Sequence, residues 1–187
     1  TNIFPEGFSW NGMMTVPREL SIREEDGRIL QNPVRELERY RGTPVCEEQV
    51  HVHEPVSFEG IRGRMADLQV EIEGRGFGTF TISVAADGRH HTDIIYDEER
   101  EILTFDRTCS GLRRDVVCVR SMPVSGREGK VSLRILLDRY SVEIFANGGE
   151  SVMTSLITTP QEADGIRFSS GGGVQADIRM YPVESGK

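Results

Sequence analysis

At 187 residues the chain has room for one domain and an appendage, and it is long enough to bury a real core. Hydrophobic residues make up 37% and charged residues 28%, a globular balance, and no window approaches the roughly 20 apolar residues of a membrane helix. A net charge of −8 and a pI near 5.1 argue against nucleic acid as a partner, because such binding rewards clustered positive charge.

The chain opens Thr1-Asn2-Ile3-Phe4-Pro5, with no initiator methionine, no basic n-region and no apolar h-region. That start reads as a cut inside a longer protein, with any signal peptide lying upstream. Trp10, the sole tryptophan, sits in a Trp-x-Gly setting that suits packing better than a sugar platform. Two short extended runs follow, Met13 to Ile22 and Arg28 to Gln31. Between them Glu24-Glu25-Asp26-Gly27 carries the Asp-Gly signal of a tight hairpin.

Asn32 to Gly42 changes period. Asn32 is placed to cap a helix, Pro33 suits a first helical position and Gly42 suits the end. Val34, Leu37 and Arg41 share one face. The stretch reads as a short amphipathic linker helix that needs tertiary packing to persist.

From Thr43 onward the period is two. Leu68, Val70 and Ile72 alternate with Gln69, Glu71 and Glu73, and Phe80, Ile82 and Val84 alternate with Thr81 and Ser83. Further runs cover Asp93 to Tyr96, Glu101 to Phe105, Val116 to Arg120, Val131 to Leu137, Val142 to Ala146, Met153 to Thr158, Gly165 to Ser169 and Val174 to Tyr181. Turn signals such as Asp87-Gly88, Ser125-Gly126 and Asn147-Gly148-Gly149 separate them. Short strands at this spacing predict an all-β fold, a sandwich or barrel of antiparallel sheets, each with one wet face. Phe77, Phe80, Phe105, Phe145 and Phe168 fall on core phase.

Catalytic, metal and cofactor chemistry have no clear home in this pattern. Glu71, Glu73 and Glu143 each lie between apolar neighbours, so the alternation turns them away from the core, to a solvated surface or an interface. No Gly-x-Ser-x-Gly elbow occurs, and Gly171-Gly172-Gly173 lacks the lysine and helix of a phosphate loop, reading instead as a flexible connection. His51-x-His53 and His90-His91 lack the further ligands of a zinc site. Cys46, Cys109 and Cys118 form no disulfide framework. Cys109 and Cys118 flank a candidate turn, Gly111 to Asp115, where reduced packing thiols are favoured over a cross-strand bond. No catalytic, cofactor-binding or metal-binding residue is assigned, and no substrate-binding residue is named.

Two regions carry a family resemblance. Trp10-Asn11-Gly12-Met13-Met14-Thr15-Val16-Pro17-Arg18-Glu19-Leu20, continued by Gly27, Leu30-Gln31 and Pro33, resembles the end of the catalytic propeller of glycoside hydrolase family 32 running into its inter-domain linker. Asp106 to Gly111, and Asp138 to Gly149 with Thr154 and Pro160, resemble motifs of that family's carboxy-terminal sandwich. Tyr140 and Gly148 depart from the family pattern at the hairpin ends, where they bear on loop shape. The family's nucleophile, transition-state and acid/base carboxylate motifs do not occur, and Cys46-Glu47 has the reverse order of the acid/base motif, so no role is carried onto it.

The resemblance implies three parts: residues 1–32 as terminal strands of a truncated five-bladed propeller, residues 33–42 as a linker helix, and residues 43–187 as a concanavalin-like jelly-roll sandwich. It implies a non-catalytic accessory domain of a fructoside-cleaving parent, acting in stabilisation, cleft shaping or dimerisation. The alternatives are an autonomous fructan-binding module and a structural sandwich unrelated to sugars. The implied partners are the propeller, a second copy, and a fructan or sucrose-type sugar, without nucleic acid or membrane. A phosphorylated substrate would place the parent in the cytoplasm, which is favoured; a fructan would place it outside the cell. Exposed strand edges recruit partners, so the first segment is expected to fold on its own sandwich, pair with another copy, or lack order.

Overall fold

A computed structural model describes residues 12–111 and 117–184. Trp10 and most of the candidate Gly111 to Asp115 turn lie outside the described residues. The described chain forms two antiparallel sheets packed face to face, with a separate two-stranded hairpin at its start. The hairpin pairs β1 (Arg18–Ile22) with β2 (Ile29–Pro33). Its turn closes through Arg23 N donating to Arg28 O at 2.9 Å, and Gly27 takes φ +70°, the conformation its missing side chain permits.

The linker, Arg35–Tyr40, is a 3-10 helix, and its caps differ from the sequence expectation. Val34, not Asn32, is the N-cap, and no side chain caps it. Pro33 ends β2, and the Asn32 amide is drawn instead to the carbonyl of Gly148, 2.7 Å away.

The larger sheet holds β3 (Val45–Val52), β4 (Ala66–Glu73), β9 (Lys130–Leu137), β10 (Ser141–Ala146), β11 (Ser151–Leu156) and β13 (Val174–Pro182), in the order β11-β10-β9-β4-β13-β3. The smaller sheet holds β5 (Thr79–Ala86), β6 (Thr92–Asp97), β7 (Ile102–Asp106), β8 (Val119–Pro123) and β12 (Gly165–Ser170), in the order β12-β5-β6-β7-β8. Of the sandwich and the barrel that the alternation allowed, the chain forms the two-sheet antiparallel sandwich.

Strand β3 was absent from the sequence reading. Its register against β13 slips between Ala176 and Ile178, which face Val50 and Glu47. A bulge at Gln49, with φ +51°, absorbs the extra residue and breaks the period of two that identifies strands.

The core lies between the sheets. Leu68, Val70 and Ile72 of β4 and Val142 and Ile144 of β10 meet Phe80, Ile82, Ile94, Phe105 and Phe168 from the opposite layer. The Gly171-Gly172-Gly173 connection is not the flexible link the sequence implied. Gly171 N and Gly172 N donate to Thr79 O and Phe77 O at 2.9 and 2.7 Å, and a methyl on Gly172 would meet Phe77 Cα at 2.9 Å. Such close backbone approach admits glycine alone.

Tyr96 is a buried phenol in this core. Burial, with Glu101, Glu98 and Asp97 nearby, pushes its pKa up to about 12. An unfolded tyrosine titrates near pH ~10, so between pH ~10 and ~12 the unfolded chain sheds this proton while the folded chain keeps it. Stability is expected to fall as pH rises through that window. Urea unfolding across the range should show a steeper decline in the native chain than in Tyr96→Phe; parallel declines would assign the effect elsewhere.

Candidate functional site

The stretch from Asp138 to Gly149 contains two turns and the whole of β10. Val142 and Ile144 point into the sandwich, so Glu143 and Phe145 occupy the outer face, as alternation requires. That face is not wet here. Glu143 is 4% exposed, and Phe145 is buried although it stands outside the inter-sheet core to which its strand phase was assigned. The N-terminal hairpin covers both.

Glu143 is an interface carboxylate. Its Oε1 accepts from Val16 N at 2.7 Å, and its Oε2 accepts from Arg18 Nη2 at 3.0 Å and from the Thr154 hydroxyl at 3.2 Å. Arg18 also donates to Thr154 Oγ1 and Gln31 Oε1, and its guanidinium lies 5.4 Å from the centre of the Phe145 ring. Cation–π stacking and charged hydrogen bonds thus act on one arginine.

Two further carboxylates repeat the arrangement. Glu150, at the start of the following strand, gathers Arg23 and Arg28 from the hairpin, the latter at 2.9 Å, and Arg127 at 2.6 Å. Asp67 of β4 receives Arg41 from the linker and Arg134 from β9, each with a 2.7 Å contact. Arg41 also stacks on Tyr181, 4.3 Å from its ring centre. The three acceptor side chains are nearly buried, at 5%, 7% and 3% exposure for Glu143, Glu150 and Asp67. Each joins the sandwich to a segment that precedes it in the chain.

Backbone contact completes the docking. Gln31 N donates to Gly149 O at 3.0 Å, and a methyl on Gly149 would lie 2.2 Å from Gln31 O. The described part of the N-terminal segment therefore folds against its own sandwich.

A second buried arginine organises the other end of β10. Arg64 lies under the turn that begins at Asp138. It donates to Thr159 Oγ1 at 2.7 Å, to Pro160 O and Ala163 O at 2.9 and 3.2 Å, and to Arg139 O. Burial holds its pKa below the ordinary guanidinium value.

The remaining candidates stay separate. His90 Nδ1 lies 3.1 Å from Asp87 and His91 Nε2 3.6 Å from Asp93, and among the described residues no group of three potential ligands gathers around a metal position. None of the described cysteines is disulfide-bonded. Glu71 and Glu73 are exposed, as alternation expected. The three anchoring carboxylates were largely invisible beforehand. Their signal lay in the pairing of an arginine-rich hairpin with strand-borne acids far away in sequence.

Fold and site together define an antiparallel β-sandwich with a preceding hairpin and linker anchored by arginine–carboxylate clusters. The chain belongs to the family described as the C-terminal domain of glycosyl hydrolases family 32, whose model matches residues 36–182. It is 28% identical to a levanase of Bacillus subtilis (strain 168), over 94% of this chain and 28% of that protein. A probable sucrose-6-phosphate hydrolase of Vibrio cholerae is 32% identical, over 92% of this chain and 28% of that protein. The exo-inulinase of Aspergillus awamori shares the fold with a TM-score of 0.80 at 22% identity, covering 97% of this chain and 38% of that one. The chain thus spans less than a third of the length of these curated relatives.

Proposed function

We propose that the chain is the non-catalytic accessory sandwich of a fructoside-cleaving glycoside hydrolase, and that it works by holding the preceding catalytic propeller in place. The observation that carries this reading is the trio of nearly buried carboxylates, Glu143, Glu150 and Asp67, each paired with an arginine of the preceding hairpin or linker. Breaking one partner out of such a pair costs about 3–5 kcal/mol, enough to fix a segment in position. In this reading residues 1–32 are the last strands of the propeller, residues 33–42 the connector and residues 43–187 the accessory domain. The relatives add support, one being a levanase and another a probable sucrose-6-phosphate hydrolase.

The test compares two preparations with sucrose, sucrose 6-phosphate, levan and inulin. This chain alone should release no fructose. A polypeptide extended through its upstream coding region should release it, and removing residues 43–187 from that polypeptide should lower its melting temperature and soluble yield. Fructose release by this chain alone, or an extended enzyme indifferent to loss of the sandwich, would overturn the reading.

A further inference from the structure

At one end of the sandwich the loop after β4 meets the loop before β9 and the turn between β6 and β7. Gly74 N donates to Gly129 O at 3.0 Å, and Glu98 N donates to Gly78 O at 2.9 Å. A cavity of about 220 Å³ opens between them. Sites for drug-sized ligands occupy about 300–1,000 Å³, so this one suits a ligand of a few heavy atoms. Its inner wall is apolar, built from Ile72 and Val131 of the larger sheet and from Phe77 and Tyr96, whose ring centres lie 6.3 Å apart.

That wall carries a polar group. Tyr96 is 1% exposed, yet its hydroxyl borders the cavity beside Gly126, where a methyl would stand 3.5 Å from the oxygen. Among the described residues nothing hydrogen-bonds this hydroxyl; the carboxylates of Glu101 and Glu98 act on it through space alone. A phenol buried in a core ordinarily finds a partner. Here the place for that partner is the cavity.

The mouth sets the sign of the partner. Glu98, Glu101 and Glu128 line it, against the guanidinium of Arg75. Glu98 is held in position by Oε2, which accepts from Gly76 N at 2.7 Å. Arg75 is exposed and lies along Gly129, and it is not among the charges that act on the phenol. A metal ion finds no group of three carboxylate, thiol or imidazole ligands among the described residues. An apolar wall under an acidic mouth fits an organic cation instead.

We propose that this cavity binds a small primary amine in its protonated form, the aliphatic stem against the apolar wall and the ammonium between the Tyr96 hydroxyl and the carboxylates of Glu98 and Glu101. An ammonium has three donors and no acceptor, which matches one hydroxyl oxygen and two carboxylates. A neutral alcohol of the same shape leaves the carboxylates uncompensated, and an anion meets three like charges. The site uses none of the anchoring carboxylates and rests on no part of the accessory reading.

The experiment titrates this chain at pH 7 with n-butylammonium, n-butanol and butyrate, followed by amide chemical shifts. Butylammonium should bind saturably at about millimolar Kd or tighter, with shifts confined to residues 74–78, 97–101 and 126–131, and the alcohol and the anion at least about tenfold more weakly. Tyr96→Phe keeps the ring and removes only the hydroxyl. It should melt no lower than the native chain, because that hydroxyl has no partner to lose, and it should bind butylammonium about tenfold more weakly. Glu101→Gln should weaken binding by a similar factor. Absence of saturable binding, equal affinity for butanol, or undiminished affinity in Tyr96→Phe overturns the proposal and leaves the hydroxyl facing water alone.

Discussion

Replacing Glu143 with alanine is expected to release the N-terminal hairpin while leaving the sandwich folded. The side chain accepts three hydrogen bonds, from Val16 N, Arg18 and Thr154, at a position 4% exposed. Its loss strands Arg18 against Phe145 without a counter-charge, and breaking a nearly buried pair in this way costs about 3–5 kcal/mol. That cost falls on a small element. The hairpin has five residues per strand and exposes Leu20, Ile22 and Ile29, so it has little apolar burial with which to compensate. Hydrogen exchange should show lost protection across residues 18–33, while amides of β4, β9 and β13 keep theirs. Arg18→Ala should produce the same pattern, and the two together should be clearly less than additive. Undiminished hairpin protection in Glu143→Ala would show that Glu150 and the Gly149 contact suffice alone.

Arg64→Ala should act on the sandwich itself. Arg64 is 8% exposed and its two terminal nitrogens donate to Thr159, Pro160, Ala163 and Arg139, joining the turn before β10 to the loop before β12. Alanine would leave several buried backbone carbonyls without their charged donor. Each unsatisfied buried acceptor costs about 1–3 kcal/mol, so a total of about 3–5 kcal/mol is expected after relaxation. For a domain of this size the melting temperature should drop by about 10 °C. Arg64→Lys should recover little, because one ammonium cannot reproduce a planar fork of donors. A lysine variant as stable as the native chain would show that charge, rather than the fork, matters there.

These two residues also show what the sequence could and could not disclose. Period-two alternation was enough to find most strands and to place Glu143 opposite Val142 and Ile144. It could not say what covers that opposite face, because the cover comes from Val16 and Arg18, more than a hundred residues upstream. Phe145 misled for the same reason: it is apolar and buried, yet buried by the hairpin rather than by the second sheet. The β3 strand was lost to the bulge at Gln49, which shifts the alternation partway along. In the linker, local capping preference yielded to a tertiary bond, with Asn32 reaching Gly148 instead of the helix start. Arg64 carries no local signal at all, since its acceptors, the Thr159 hydroxyl and several backbone carbonyls, are contributed by distant loops.

Gly149 has a consequence for how such proteins can diversify. Its bare α-carbon lets two main chains touch, Gln31 N meeting Gly149 O at 3.0 Å, and a main-chain contact does not depend on which side chain the visiting strand carries. The turn must keep its glycine, but the hairpin can change residue by residue around that contact. A receptor loop of this kind works as a standard socket: one sandwich could be recombined with many preceding hairpins, provided that each presents an extended backbone and an arginine at the position of Arg18.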